Sequence, residues 1–411
     1  MPQEFWDKLI APDEARAIFL PQIEPLSETE LLPTERGLGR FLAEEITSPM
    51  TLPMFRRSTV DGYAVLASDL TGASLAQPTP LRLAGEVPMG SEARFRIKAG
   101  EAAVVHTGGM VPDGADAVVM LEQTSQQNGT VFFEVPARPN QNIIQVGEDI
   151  KQGHRLLPAG HRLREQDIGG LLAVGVTSVS VVRRPRAAIF STGDEVVPPS
   201  ATPRLGQVRD INSYTIEALA REAGATTDRW GILPDHYETM LAAVQRVYQD
   251  GVNMIVLSAG SSVSARDLTP RVFNALGEPG VLIHGLATRP GKPTLFGLAG
   301  RCVLIGLPGN PVSAYVQFLL SGVPALYRLQ GGSVPKRAIL TLKLAGDVES
   351  AAWREDYIPM RFVHRGGELF ADPIMFKSNL IFTLVNADGL IKVPIGRDRM
   401  SAGELVEVRL F

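Results

Sequence analysis

With 411 residues, 45% of them hydrophobic and 20% charged, the chain is longer than one hydrophobic core usually grows, so several folded domains are expected and no disordered one. Its 40 Lys plus Arg against 44 Asp plus Glu give a net charge of −4, which excludes a broad field for gathering nucleic acid or a membrane surface; any anion must be held locally. The single cysteine, Cys302, lies in the apolar run 302–305 and excludes an internal disulfide or a multi-cysteine metal centre, leaving a buried structural thiol.

The N-terminal segment carries acids where a secretory signal needs an apolar core, so a cytoplasmic protein is expected. The longest apolar stretches, 171–182 and 314–327, are broken by Gly, Ser, Gln or Pro and fall short of the roughly 20 residues of a membrane span. Ala15, Ile18 and Phe19 at helical spacing predict a first helix ending near Pro21. A second helix is predicted from Thr34, as its cap, through Leu38, Phe41, Leu42, Glu45 and Ile46 to a stop before Pro49. From there to about residue 150 the texture changes to short β-rich pieces, 63–65, 81–83 and 130–133, between Gly, Pro, Asp and Asn, which predicts a small all-β domain. Residues 164–174 predict a helix that pairs with the earlier one.

Between 185 and 333 a strand, loop and helix recur, the pattern of a doubly wound α/β sheet. Strands 187–190, 254–257 and 303–305 each run into a loop of Gly, Ser, Asp or Pro, and the crevice at the carboxyl ends of such strands is the usual ligand site. A helix from 236 to 249 presents Met240, Leu241, Val244, Val247 and Tyr248 on one face to cover the sheet, with Asp235 at its N-cap. Alternation at 338–342 and 405–410 predicts a barrel-like C-terminal β domain. The expected map is therefore a helical linking domain from 1–47 with 148–184, a small β domain at 48–147 inserted in it, an α/β domain at 185–333 and a C-terminal β domain at 334–411.

The strand-end loops carry the chemistry. Ser191-Thr192-Gly193-Asp194-Glu195 offers hydroxyls and adjacent carboxylates, which suit a hard divalent cation or, more plainly, a solvated turn with a helix cap. The small-residue loop Ser258 to Asp267 lets backbone N–H groups approach a phosphate, or simply lets the chain turn tightly. Arg289-Pro290-Gly291-Lys292-Pro293 is stiffened by proline and carries two cations for an oxyanion, the alternative being a solvated basic turn; Leu307-Pro308-Gly309-Asn310-Pro311 is similarly restricted. Ser58 to Val65 contains an Asp-Gly step that also reads as a hairpin turn.

In this order the segments resemble the molybdopterin molybdenumtransferase family, the group of bacterial MoeA and the E domain of gephyrin, across essentially the whole chain. The resemblance is carried by Ser58 to Val65, Thr107-Gly108, Ala115 to Val119, Gly147 to Ile150, Ser191 to Glu195, Asp210-Ile211-Asn212-Ser213, Ser258 to Asp267, Pro290 to Pro293, Leu307 to Ala314 and Ala387 to Leu390. It implies an elongated homodimer whose cleft lies between the α/β domain of one subunit and the small β domain of its partner. It also implies the chemistry: adenylyl-molybdopterin and molybdate, or tungstate, enter, molybdenum passes to the dithiolene, and AMP leaves in a Mg²⁺-dependent step. By the same resemblance Asp61, Thr107, Glu195, Asp267 and Lys292 are catalytic candidates, and Asp194, Glu195 and Asp267 organise the metal. Substrate-binding candidates are Ser191, Thr192, Gly193, Asp210, Asn212, Ser258, Gly260, Ser261, Ser262, Arg289, Pro290, Gly291, Pro308, Gly309, Asn310, Pro311, Arg354 and Ser378. A molybdopterin adenylyltransferase and apo-molybdoenzymes are the expected protein contacts. The chain departs from the family pattern at Ser264, where a Gly is usual, at His236, where a second acid often follows Asp235, and at Arg289, where many members have Lys. Rival readings are a tungstate-specific transferase, a molybdopterin adenylyltransferase, which needs only an α/β domain, and a non-catalytic pterin carrier.

Overall fold

The computed structural model describes residues 9–259, 268–333, 339–375 and 377–411. The first helix, α1 (Pro12–Phe19), forms where its periodicity predicts, with Pro12, Asp13 and Glu14 in the first turn, where a missing N–H and negative charge are favoured. Its inward residue Phe19 stacks on Phe296, ring centroids 5.0 Å apart, so the apolar face of α1 is buried in the core of the α/β domain.

The second predicted helix does not form. Strand β1 (Thr29–Pro33) pairs antiparallel with residues 178–182, Thr34–Arg36 make a 3-10 turn, and Phe41 and Leu42 form isolated bridges to Arg162 and Val181. The glycines decide this. Gly37 and Gly39, the latter at φ +73, interrupt the run, and the Thr34 hydroxyl donates to the Val176 carbonyl instead of capping a helix. Leu38, expected inside, is 52% exposed.

An inserted sheet follows, built from β2 (Gly62–Val65), β3 (Thr79–Glu86), β4 (Glu101–Val105), β5 (Ala117–Met120), β6 (Thr124–Gln127) and β7 (Thr130–Phe133) in the order β5-β2-β4-β3-β7-β6. Strand β2 lies inside it and alternates between two cores: Tyr63 and Val65 face Val131 and Phe133, while Ala64 faces Val105 and Val118. The chain then returns through α2 (Glu165–Ala173), whose capping box joins Arg164 and Asp167, and β8 (Ser178–Val182), which closes on β1. Leu42, Leu163, Leu171, Val179 and Val181 share one core with Leu32, so both flanks of the insertion meet; α2 packs on the β1-β8 ribbon and against the 3-10 turn of Thr34–Arg36 instead of on a second α-helix.

The α/β domain comprises β9 (Arg186–Thr192), α3 (Asn212–Glu222), β10 (Thr226–Leu233), α4 (Tyr237–Gln249), β11 (Met254–Ala259), α5 (Thr269–Asn274), β12 (Pro279–His284), β13 (Leu295–Ala299), β14 (Cys302–Pro308), α6 (Pro311–Gln317) and α7 (Val323–Leu329). Its sheet runs β10-β9-β11-β14-β13-β12, parallel through β14 and antiparallel at the β13-β12 edge. Apolar residues of β9, β11 and β14 point alternately into two cores, one on each face, which is why these strands read as unbroken apolar runs. Cys302 is buried on β14, and burial pushes its thiol up to about 12, as suits a structural role.

In the C-terminal region β15 (Ile339–Leu344), β16 (Glu355–Arg365), β17 (Glu368–Pro373), β18 (Gly389–Val393) and β19 (Leu405–Leu410) follow the order β16-β17-β15-β19-β18, and β18 pairs back with β16 to close a five-stranded barrel. The short strand Thr288–Arg289 of the α/β domain adds to β16 in parallel, with Arg289 opposite Asp356, and splices the two domains together.

The inserted sheet gives a direct test of its packing. A Cβ at Gly62 would lie 2.0 Å from the Val119 carbonyl oxygen, whereas at Gly72 it would meet nothing within 4 Å. Gly62→Ala is expected to destabilise the protein by about 2 kcal/mol or more in urea unfolding, and Gly72→Ala to leave the midpoint in place.

Candidate functional site

The strands β9, β11 and β14 end side by side, and the first residues of α3 lace their ends together. The Ser191 hydroxyl donates to Asp210 Oδ1 at 2.7 Å, and the same carboxylate accepts the Ser213 N–H at 3.2 Å and the Ser213 hydroxyl at 2.6 Å. Asp210 therefore ties the first turn of α3 to β9 with its charge fully engaged. Asn212 Nδ2 donates to Ser258 Oγ and to the Gly309 carbonyl, both at 2.8 Å, so β11 and the loop after β14 are held by one side chain. Among the described residues, two buried atoms here have no hydrogen-bond partner: Asn212 Oδ1 and Thr192 Oγ1. Buried polar atoms are almost always paired, so these two mark where a ligand is expected to bond.

Beyond Thr192 the chain turns at Gly193, whose φ of +135 requires glycine, and the Glu195 carboxylate lies where a Cβ would stand, 2.7 Å from its Oε2. The Glu195 carboxylate thus folds over Gly193, and Asp194 Oδ1 accepts the Asp235 N–H at 3.3 Å. Asp194 and Glu195 are exposed oxygen donors. Asp235 is not the N-cap of α4; His236 is, and its ring reaches Thr239 and Glu238 instead of the helix N–H groups. Gly260, Ser261, Ser262, Ser264 and Asp267 lie outside the described residues. Among the described residues no three His, Cys, Asp or Glu side chains gather in a metal-holding cluster.

A second assembly forms where the α/β domain meets the barrel. Gly291 sits at φ +103 against Gln317, and a Cβ there would lie 2.2 Å from Gln317 Cγ; the Gln317 amide donates to the Pro290 carbonyl at 2.7 Å and the Thr294 hydroxyl to that of Gly291 at 2.6 Å. This fixes the loop that carries Arg289 and Lys292. Arg289 Nη2 lies 2.8 Å from Asp356 Oδ2, and Arg354 Nε donates to Asp356 Oδ1 at 2.9 Å. Burial lowers the proton affinity of Lys292, and the charge of Arg354 lowers it further. Arg289 is lowered by burial, with Asp356 opposing and Arg354 reinforcing that effect, so Arg354 is close enough to repel both Arg289 and Lys292. Asn310 caps α6, Pro311 takes its first position, and the Asn310 amide donates to Ser378 Oγ at 2.9 Å while Val312 N–H donates to the Ser378 carbonyl at 3.1 Å. Ser378 therefore clamps the Pro308–Pro311 loop from the barrel side.

Asp61 and Thr107 meet elsewhere, at an exposed end of the inserted sheet. The Thr107 N–H donates to Asp61 Oδ1 at 2.9 Å; His106 Nδ1 lies 3.7 Å from the same oxygen, and its Nε2 lies 2.9 Å from Glu86. Among the described residues no hydrogen bond or ion pair joins Asp61 or Thr107 to the α/β domain of the same chain. Sequence reasoning missed Asp356, Gln317 and His106. Asp356 left a faint trace, an acid in the charged run Arg354-Glu355-Asp356 just before an apolar strand; Gln317 left none, since it reads as one more residue of α6.

Three family models match the chain in succession: the MoeA N-terminal region (domain I and II) over residues 10–175, a probable molybdopterin binding domain over 188–328, and the MoeA C-terminal region (domain IV) over 341–411. The chain is 32% identical over 406 residues to the molybdopterin molybdenumtransferase of Haemophilus influenzae, covering 97% of this chain and 98% of that protein. It is 33% identical over 389 residues to the protein of the same name from Bacillus subtilis, covering 93% of this chain and 90% of the relative. The crystal structure of a molybdopterin biosynthesis moeA protein from Pyrococcus horikoshii superposes with a TM-score of 0.84 at 28% identity, covering 98% of this chain and 100% of that one.

The lacing of the strand ends is testable without a ligand. Asn212→Ala strands Ser258 Oγ and the Gly309 carbonyl and is expected to cost about 1–3 kcal/mol. Urea unfolding followed through tryptophan fluorescence, with Trp230 as the reporter within this domain, reads the loss.

Proposed function

The chain belongs to the molybdopterin molybdenumtransferase family, and from that membership we propose the reaction it performs: molybdenum passes from molybdate to the dithiolene of adenylyl-molybdopterin, and AMP is released. The observation that carries this reading is the pairing of Arg289 and Arg354 with one buried carboxylate at the seam between the α/β domain and the barrel, with Lys292 within reach of the charge of Arg354. A dianionic oxyanion must approach an already anionic nucleotide ester, and in a partly dry cleft their repulsion is large. Fixed cations offset it without reorganising during the reaction. Arg289 and Arg354 present planar N–H donors to the oxygens, while Lys292 is a compact charge beside them. Ser378, bonded to Asn310, borders the same seam.

Adenylyl-molybdopterin is assigned to the strand ends, against Ser191, Thr192, Gly193, Ser258 and the Pro308–Pro311 loop, where Asn212 Oδ1 and Thr192 Oγ1 have no hydrogen-bond partner among the described residues. Asp210 and the Asn212 amide group act there by holding the walls, since their hydrogen bonds are internal. The donor chemistry at the end of β9 fits Mg²⁺: Asp194 and Glu195 are exposed carboxylates, and Mg²⁺ takes one or two of these with water and phosphate oxygens completing its shell. Asp267 is the proposed third acid. Such an ion, when bound, neutralises phosphate charge and polarises the ester. Asp61 and Thr107, exposed and, among the described residues, without a bond to the α/β domain of their own chain, are assigned to the partner's cleft in a cytoplasmic homodimer.

An adenylyltransferase would need only the α/β domain, whereas the family match runs from residue 10 to 411 and Arg354 belongs to the barrel side of the seam. Molybdate and tungstate share shape and charge, and both enter the test. Purified protein with adenylyl-molybdopterin and Mg²⁺ is expected to release AMP only when micromolar molybdate or tungstate is added, and to reconstitute an apo-molybdoenzyme. Tight nucleotide binding without oxyanion-dependent release would replace this reading by a carrier.

A pH dependence follows from Lys292. Its lowered proton affinity means that it loses its charge at a lower pH than an exposed lysine, so oxyanion affinity is expected to fall on the alkaline side before the ordinary lysine range is reached. Lys292→Arg keeps the charge and is expected to flatten that limb. Calorimetric titration with tungstate at successive pH values decides it, and parallel limbs for both proteins would remove Lys292 from the site.

A further inference from the structure

We propose that Asp356 is a positioning residue of the oxyanion site, holding Arg289 of the α/β domain and Arg354 beside the barrel in one geometry, so that removing its negative charge weakens anion binding. This inference rests on the oxyanion reading above and deepens it.

Asp356 is fully buried, at the second position of β16 and directly across from Arg289 in the parallel pairing. Each of its oxygens faces one guanidinium, Oδ2 that of Arg289 at 2.8 Å and Oδ1 that of Arg354 at 2.9 Å. A carboxylate removed from water is tolerable only with such compensation, so both arginines are drawn to it and their free orientations are restricted. The side chains of both arginines stay partly accessible, Arg289 at 41% and Arg354 at 20%.

The neighbouring residues prevent Asp356 from yielding. Strand alternation sends Glu355 and Tyr357 to the other side of β16, where Tyr357 Oη donates to Glu355 and Lys392 Nζ lies 2.8 Å from Glu355 Oε2. Lys392 also lies 3.3 Å from Asp13 of α1. The Glu355 N–H donates to the Ala287 carbonyl at 2.9 Å, locking the register that puts Asp356 against Arg289.

Two effects of Asp356 on an anion oppose each other. Its charge repels the anion, but the two guanidiniums paired with it, Arg354 by a hydrogen bond and Arg289 as an ion pair, answer much of that field. These contacts also hold Arg289 and Arg354 together although they repel, and Arg354 disfavours the charged form of Lys292 as well. Organisation prevails if the cations splay when Asp356 is neutralised, and simple repulsion prevails if they do not. The sign of the change in affinity separates the two.

The experiment is calorimetric titration of the full-length protein with sodium tungstate, nucleotide absent, for wild type, Asp356→Asn, Asp356→Glu and Arg354→Lys. Asp356→Asn is expected to bind about tenfold more weakly or worse, and Asp356→Glu to recover part of the loss. Arg354→Lys keeps the charge but loses the Nε bond, and is expected to weaken binding similarly. In turnover the KM for molybdate rises while that for adenylyl-molybdopterin stays. Asp356→Asn binding tungstate as tightly as wild type, or more tightly, overturns the proposal, as does an equal rise in both KM values. If Asp356→Asn does not accumulate as folded protein, Arg354→Lys decides: wild-type affinity in that variant also overturns it. A wild type that binds no tungstate sinks the oxyanion reading itself, which is distinguishable from a wild type that binds and an Asp356→Asn that is indifferent.

Discussion

The seam between the α/β domain and the barrel depends on burying one carboxylate. Asp356 has no exposure, and its only admissible surroundings are positive; the fold supplies them from two directions, Arg289 from a loop of the α/β domain and Arg354 from the approach to β16. The parallel pairing of Thr288–Arg289 with Glu355–Asp356 then becomes the register in which both domains are fixed. Everything nearby supports that register: Gly291 accepts the close approach of Gln317, Gln317 holds the Pro290 carbonyl, and Ser378 bonds Asn310 across the same boundary. Cations from two domains thus meet at a junction, where no single domain could present them on both sides.

The strand-end crevice is built on a different principle. There the polar side chains mostly satisfy one another, with Asp210 engaged by Ser191 and Ser213, and Asn212 by Ser258 and the Gly309 carbonyl. Such internal bonding stiffens the walls and leaves few atoms open, so Asn212 Oδ1 and Thr192 Oγ1 gain significance from the completeness of the rest. A rigid crevice next to a positively charged seam suits a reaction in which two anionic reactants must be positioned, because little reorganisation is left to the moment of transfer. The N-terminal helix contributes from afar: α1 packs Phe19 on Phe296 and places Asp13 against Lys392, behind the strand that carries Asp356.

Local patterns made much of this legible. Helix α1, helix α2, the alternating β pieces, the apolar strands β9, β11 and β14, and helix α4 each satisfy a short-range rule of period or capping, and each appears in the structure. The failed helix at 34–46 satisfied the period but not the backbone: Gly37 and Gly39 removed its continuity, and strand partners from residues 162 and 181 offered Phe41 and Leu42 a better burial. The Ser191 to Glu195 loop, Arg289, Lys292 and the Pro308–Pro311 loop could be nominated because small, charged and proline residues at strand ends have few other uses.

The sequence by itself determined the strands that end in polar loops and the family whose motifs those loops carry, since these rest on residue type and near-neighbour spacing. Only the tertiary structure decided which of those residues share a site. Arg289 and Arg354 meet on Asp356 while Lys292 feels the charge of Arg354, Asn310 meets Ser378 across a domain boundary, and Asp61 and Thr107 form a pair that, among the described residues, does not bond to the α/β domain of the same chain. The physical reason is the range of the information. Periodicity and turn chemistry act within about a dozen residues, whereas the charge that draws Arg289 to Asp356 acts through space between segments 67 positions apart, like the Thr288 to Glu355 hydrogen bond beside it, and nothing in either segment alone specifies the other.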